Sequence, residues 1–186
     1  MMIQSSHAGP YDVDLEHSSV TFRIKHLGLA WYTVRFATFR IDLDFQPDAP
    51  ETMRVTAEID TASVRTDYAG PAGDWDHALA TRADLLDGEA HPVARFASTA
   101  VALTGADTAA NTADVTGDLT IRGITRPFTL ATTYNGLVEK DRLGRTVIGF
   151  SARGTIMRSA YGIDFMLGPL MPDTVELIIE AELFRR

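Results

Sequence analysis

The chain has no cysteine. Disulfides, thiolate zinc sites and cysteine nucleophiles are therefore excluded, and the redox state of its compartment is unreadable. Long apolar runs are missing too: no stretch approaches the roughly 18 residues that a membrane-spanning helix needs. The first residues, Met1 to Pro10, hold neither a basic patch nor an apolar segment. No secretory signal is expected in the chain as given, and a cytoplasmic location is the expectation. Positive charge is scarce, with 17 Lys and Arg against 25 Asp and Glu, a formal net charge of −8. A phosphate-tracking surface is not expected, and nucleic acid is not expected as a partner.

Catalytic signatures are also lacking. No GxSxG nucleophile elbow, GxxxxGK[ST] phosphate loop or GxGxxG fingerprint occurs. The histidines, His7, His17, His26, His77 and His91, form no HxH or HExxH pair, so no metal site and no required cofactor are expected. The acidic residues from Asp114 to Asp118 and those near the C-terminus alternate with apolar ones, as on a solvated strand face.

What is present is period-two alternation, which sets successive side chains on opposite faces of a strand. Val175, Leu177, Ile179, Ala181 and Leu183 share one parity, with Glu176, Glu180 and Glu182 on the other. Met53, Val55, Ala57 and Ile59 repeat the pattern against Arg54, Thr56, Glu58 and Asp60. Similar runs at about 18–26, 32–46, 92–104, 112–122, 125–138 and 145–157 bring the expected total to eight strands. Turn chemistry lies between them: Gly105 opens the polar segment 105–111, Gly123 marks a tight reversal, and Asp141 to Gly144 forms another link. Short links favour an antiparallel meander, closed as a barrel or folded as a two-sheet sandwich; periodicity does not separate the two.

Two of the runs change parity midway. Val34 and Phe36 are even, whereas Phe39, Ile41, Leu43 and Phe45 are odd; Phe96 and Ala100 oppose Val93, Val101 and Leu103. Such switches predict bulges or bends at barrel corners. Residues 74–87 break the β pattern altogether. Trp75, Leu79 and Leu86 recur at near-helical spacing, Asp74 can cap the start and Gly88 the end, so one helix or two short ones are expected over the barrel or its mouth. Residues 158–172 form a second irregular segment, carrying Ile163, Phe165, Met166, Leu167, Leu170 and Met171. A loop so apolar must pack against something, either as a plug in one end or as a lid or dimer contact.

Several phrases resemble the YceI-like, or polyisoprenoid-binding, family. They are Asp14 to Phe22 (DLEHSSVTF) followed by Lys25-His26-Leu27-Gly28, Ile59 to Thr66 (IDTASVRT), His91 to Thr99 (HPVARFAST) and Gly117 to Pro127 (GDLTIRGITRP), then Phe150-Ser151-Ala152 and Ile156 to Gly162 (IMRSAYG). The blocks occur in order from about residue 12 to 183, nearly the whole chain. The resemblance implies a lipocalin-like, eight-stranded antiparallel barrel with a long apolar channel. It implies an amphiphilic ligand such as a polyisoprenoid or quinone-like lipid, a homodimer, and no catalytic chemistry. A single domain over 11–186 is expected, after a flexible stretch at 1–10. Where many relatives have Arg-Asp-x-His-Leu, this chain has Trp75-Asp76-His77-Ala78-Leu79, which points to a less charged ligand. Trp31 and Tyr32 stand beside Val34 where a following glycine is usual, and are expected to narrow the channel entrance.

The apolar parity of each strand selects Phe22, Ile24, Phe36, Phe96, Phe128, Phe150 and Ile156 as candidate channel walls. Trp31, Trp75, Leu79 and Phe165 are candidates for the mouth or lid, and Arg158 and His26 for head-group contact. The expected role is carriage or storage of a hydrophobic molecule. The alternatives are an enzyme or stress-response factor acting on a bound hydrophobic substrate through His17, His26 and Arg158, or an interaction module whose interior is filled by side chains.

Overall fold

Strands of alternating polarity bury one face only if the sheet wraps round on itself or meets another. A computed structural model describes residues 5–68, 70–71, 73–104 and 111–186, and shows the first solution. The strand segments are β1 (Gly9–Val13), β2 (Ser19–His26), β3 (Ala30–Phe36), β4 (Phe39–Phe45), β5 (Arg54–Asp60), β6 (Val64–Arg65), β7 (Val93–Leu103), β8 (Thr112–Ile121), β9 (Ile124–Val138), β10 (Val147–Met157) and β11 (Thr174–Arg185), with helix α1 (Trp75–Thr81) between β6 and β7.

These segments reduce to eight staves, because β1 runs on into β2, β3 into β4 and β5 into β6. Strand β11 shows the continuity: Leu183 to Arg185 pair with β1, while Glu176 to Glu180 pair with β2. All pairings between the strands are antiparallel, neighbours follow chain order, and β1 closes the ring against β11. The sandwich alternative is excluded. The expected strand over 32–46 is interrupted at Ala37 and Thr38, where Ala37 N–H turns to the Ser63 carbonyl and the Thr38 carbonyl accepts from Asp60 N–H. That interruption resets the parity. In β7 a register shift between Ser98 and Ala100 does the same. Strands β1 and β6 were not expected, and β1 starts at Gly9, ahead of the expected domain boundary. Of the turn expected at 105–111, all but Asn111 lies outside the described residues.

The barrel has two unlike ends. At one, the far end, Tyr11, Phe45, Tyr134 and Phe150 pack ring against ring at centroid distances of 5.3–6.3 Å. At the other, β6 pairs among the described residues only with β3, and the gap between β6 and β7 is filled by α1 and residues 82–92. Asp74 caps α1 as expected, accepting from His77 N–H at 2.9 Å. The helix ends at Thr81 rather than near Gly88. Gly88 instead lies so close to the Ala80 carbonyl that a Cβ would meet it at 2.8 Å. Asp76 ties α1 to the end of β6, accepting from both the Thr66 backbone N–H (2.7 Å) and hydroxyl (2.6 Å). Among the described residues no helix is long and apolar enough to cross a membrane.

Candidate functional site: the barrel interior and its lid

The inward parity of the staves lines a continuous cavity of about 1330 Å³. That exceeds the roughly 300–1,000 Å³ of most small-molecule sites. Its wall is overwhelmingly aliphatic and aromatic. Two glycines shape it: Gly117 on β8 and Gly154 on β10 stand at inward positions, and the rings of Phe96 and Phe128 lie over them. A Cβ at Gly154 would meet Phe128 Cζ at 2.3 Å, and one at Gly117 would meet the Ala97 carbonyl at 2.3 Å. The rings fold back over backbone in place of projecting to the axis, and meet each other edge to face at 6.2 Å.

Residues 158–173 cross the end of the barrel beside α1. Phe165 packs edge-on against Trp75 at 5.9 Å, and the Arg82 guanidinium lies 4.3 Å over the Phe165 ring. Arg158 is buried, 4% exposed, and holds this segment from beneath. Its Nε donates to the Pro172 carbonyl (2.9 Å), Nη1 to Phe165 (2.7 Å) and Nη2 to Met171 (3.1 Å). Burial pushes the Arg158 pKa down, against the pull of Asp173 and Asp164; arginine nevertheless stays charged. From outside, Arg126 donates to the Ala160 carbonyl at 2.7 Å, and Arg122 reaches the carbonyls of Ala83 and Gly162. Arg122 can do so from the β8–β9 turn, where it and Gly123 adopt the positive φ of a type I′ reversal.

The candidate residues divide accordingly. Phe22, Ile24, Phe36, Leu79, Phe96, Phe128, Phe150, Ile156, Arg158 and Phe165 all line the cavity. Trp75 does not, and supports Phe165 from behind. His26 and Trp31 are corrections. His26 continues the inward parity of Phe22 and Ile24 but stands at the strand's last position, where the chain turns away, and is exposed. Trp31 has the opposite parity to Tyr32 and lies on the outer face beneath Arg23 and Lys25, so Tyr32 alone borders the channel. His17 sits beyond the other end of β2, beside Asp14 and Glu182; the structure does not bring His17, His26 and Arg158 together. The irregular segment is split between roles: Ile163, Phe165 and Met171 face inward, whereas Met166, Leu167 and Leu170 are exposed.

Sequence reading passed over Tyr134, whose inward even parity matched Phe128. Its hydroxyl is buried without a hydrogen-bond partner among the described residues, and burial pushes its pKa to about 12. It stays neutral at any physiological pH.

Two carboxylates fasten the segments at this end, Asp173 within 158–173 and Asp76 between α1 and β6, and both have depressed pKa values. Asp173 is lowered chiefly by the Ser159 hydroxyl, and Asp76 chiefly by the Thr66 hydroxyl. Groups whose folded pKa lies below the unfolded value of about 3.9 stabilise the fold above that pH and lose this as pH falls through the folded value. In a Trp31→Phe background, Trp75 fluorescence should therefore hold steady from pH 7 to about 4 and change below it. Asp173→Asn should show the altered signal already at pH 7.

Comparisons with known proteins agree with this geometry. The YceI-like domain family model matches residues 11–183. A "UPF0312 protein" of Ectopseudomonas mendocina (strain ymp) is 36% identical over 181 residues, covering 96% of this chain and 89% of the relative. The crystal structure of Burkholderia cenocepacia BcnA superposes with a TM-score of 0.76 at 24% identity, covering 91% of this chain and 98% of that one. A polyisoprenoid binding domain from Saccharophagus degradans, implicated in plant cell wall breakdown, superposes with a TM-score of 0.65 at 15% identity, covering 95% and 98%. At those identities the two structures establish likeness of fold.

Proposed function

We propose that this chain, which belongs to the family of YceI-like domains, binds and carries or stores a long-chain isoprenoid lipid with an uncharged head, such as a quinone or polyprenyl alcohol. The observation that carries this is the 1330 Å³ apolar cavity with one buried charge on its wall among the described residues, Arg158. Burial of an apolar chain yields about 25 cal/mol per Å², so a long isoprenoid needs few polar contacts. A guanidinium has five N–H donors; three of Arg158's are taken by lid carbonyls. The two that remain suit a neutral carbonyl or hydroxyl oxygen. The guanidinium's charge is already opposed by the nearby carboxylates of Asp173 and Asp164, which disfavours a diphosphate or carboxylate head. The chain of the lipid then runs from the lid towards the ring cluster at the far end. The structural neighbour of this fold described as a polyisoprenoid binding domain is consistent with this reading.

Organic extraction of freshly purified protein, followed by mass spectrometry, should recover an unmodified neutral isoprenoid. Ala152 faces the cavity and the next residue, Arg153, faces out. Ala152→Trp should cut the recovered lipid by about tenfold or more, since the indole takes lumen volume, while Arg153→Trp leaves it unchanged. Equal lipid in both variants, or none in the wild type, would overturn the assignment.

A further inference from the structure

We infer that the rim at the lid end is a docking surface for an anionic lipid bilayer. The rim joins two segments. Leu27 N–H in the β2–β3 turn donates to the Leu170 carbonyl at 2.9 Å, which seams that hairpin to the lid. Along the seam Leu29 is 81% exposed, and Leu27, Met166, Leu167 and Leu170 are each 44–46% exposed. Isolated exposed leucines need no explanation, but a contiguous set marks a contact surface.

Two features separate this set from incidental exposure. The first is backbone cost. Leu27 and Met166 sit at φ of 55° and 49°, in the left-handed region that favours glycine or asparagine. Apolar side chains are thus held at exposed positions where the backbone would prefer polar or absent ones. The second is charge. Residues 17–41 contain no Asp or Glu and carry Arg23, Lys25, Arg35 and Arg40, in a chain of net charge −8. The lid from 159 to 172 adds one acid, Asp164. Arg23 is partnered by Glu176, Arg35 approaches Asp67 and Arg40 is held by Asp42, so the positive excess at the hairpin rests on Lys25. The Arg23 and Lys25 cations lie 4.3 and 4.6 Å over the Trp31 ring beside the leucines. Apolar tips flanked by tryptophan and cations match the layered polarity of a bilayer interface. On an acidic body, this seam sets exposed leucines beside Trp31 and Lys25, a cation with no carboxylate partner among the described residues, which an anionic surface can engage.

The rim also lies next to the cavity: Phe165 lines it and Met166 is exposed. The inference rests on the lipid-cargo reading only in naming what passes there. Docking itself is measured by co-sedimentation with vesicles of equal parts phosphatidylcholine and phosphatidylglycerol. Wild-type protein should bind, less so in high salt or to phosphatidylcholine alone. Leu29→Asp with Leu167→Asp should weaken binding about tenfold or more, and Lys25→Glu about fivefold or more. Both variants should keep their melting temperature and any co-purified lipid, since these side chains lie outside the core and cavity. Failure of the wild type to bind vesicles, or wild-type binding by both variants, would overturn docking. So would conversion of a dimer to a monomer by the Leu variants with vesicle binding intact, which would make the rim a self-contact. Absence of extracted lipid would overturn the cargo reading and leave the vesicle result standing.

Discussion

Arg158→Met is expected to lower stability by about 3–5 kcal/mol and to unfasten the lid. Its guanidinium supplies a donor to each of three carbonyls, those of Phe165, Met171 and Pro172. Hydrogen bonds to a charged donor are worth roughly 1.5–3 kcal/mol each, and partly buried carbonyls left without one lose more than the bond alone. Methionine keeps the apolar volume and removes all three donors, so packing loss is small and the effect isolates the strap. For a chain of this length the melting temperature should fall on the order of 10 °C. Limited proteolysis should cut first within 158–173. Arg158→Lys should recover only part, since one ammonium cannot span three carbonyls in the fork geometry that a guanidinium provides. An unchanged melting temperature in Arg158→Met would mean that the segment is held by its other contacts, those of Arg122, Arg126 and Asp173 among them.

Gly154→Val should close the channel from within. The new Cβ would meet Phe128 Cζ at 2.3 Å and the Thr129 carbonyl at 3.0 Å. The carbonyl belongs to the sheet and cannot yield, so the ring must turn off the strand and into the lumen. There it meets Phe96, already edge-on at 6.2 Å. Overpacking of this kind costs about 1–3 kcal/mol, and the recovered lipid should fall as sharply as in Ala152→Trp. Gly154→Val with Phe128→Ala provides the check: if the ring is the obstruction, the pair should regain lipid that the single variant lost, a coupling that independent sites would not show. Full lipid load in Gly154→Val would show that the wall can relax outward instead.

Much of this architecture is legible along the chain because a strand's two faces are a local property. Parity alone put Phe22, Phe36, Phe96, Phe128 and Phe150 on the inner wall, and Arg158 follows Ile156 by the same count. Applied evenly, parity would also have selected Tyr134 and turned Trp31 outward; the aromatic character of Trp31 argued for the mouth and was misleading. His26 failed for another reason. Its parity is inward, but face assignment lapses once a strand ends and the turn begins. Glycine was readable where it makes a reversal, as at Gly123, and unreadable at Gly117 and Gly154, because nothing nearby in sequence announces which ring will cover them.

The barrel wall was therefore determined by sequence, through alternation every second residue and turn chemistry between the runs. The helix start at Asp74 was determined in the same way, by a side chain reaching three residues along its own chain. Closure and the lid were decided only by tertiary structure. That β1 and β2 act as one stave depends on their sharing β11, more than 150 residues away. That Arg158 spends three donors on its own lid depends on where residues 165–172 return across the opening. Such contacts join segments whose approach is set by the register of the whole ring, and register is a non-local quantity that no short pattern carries.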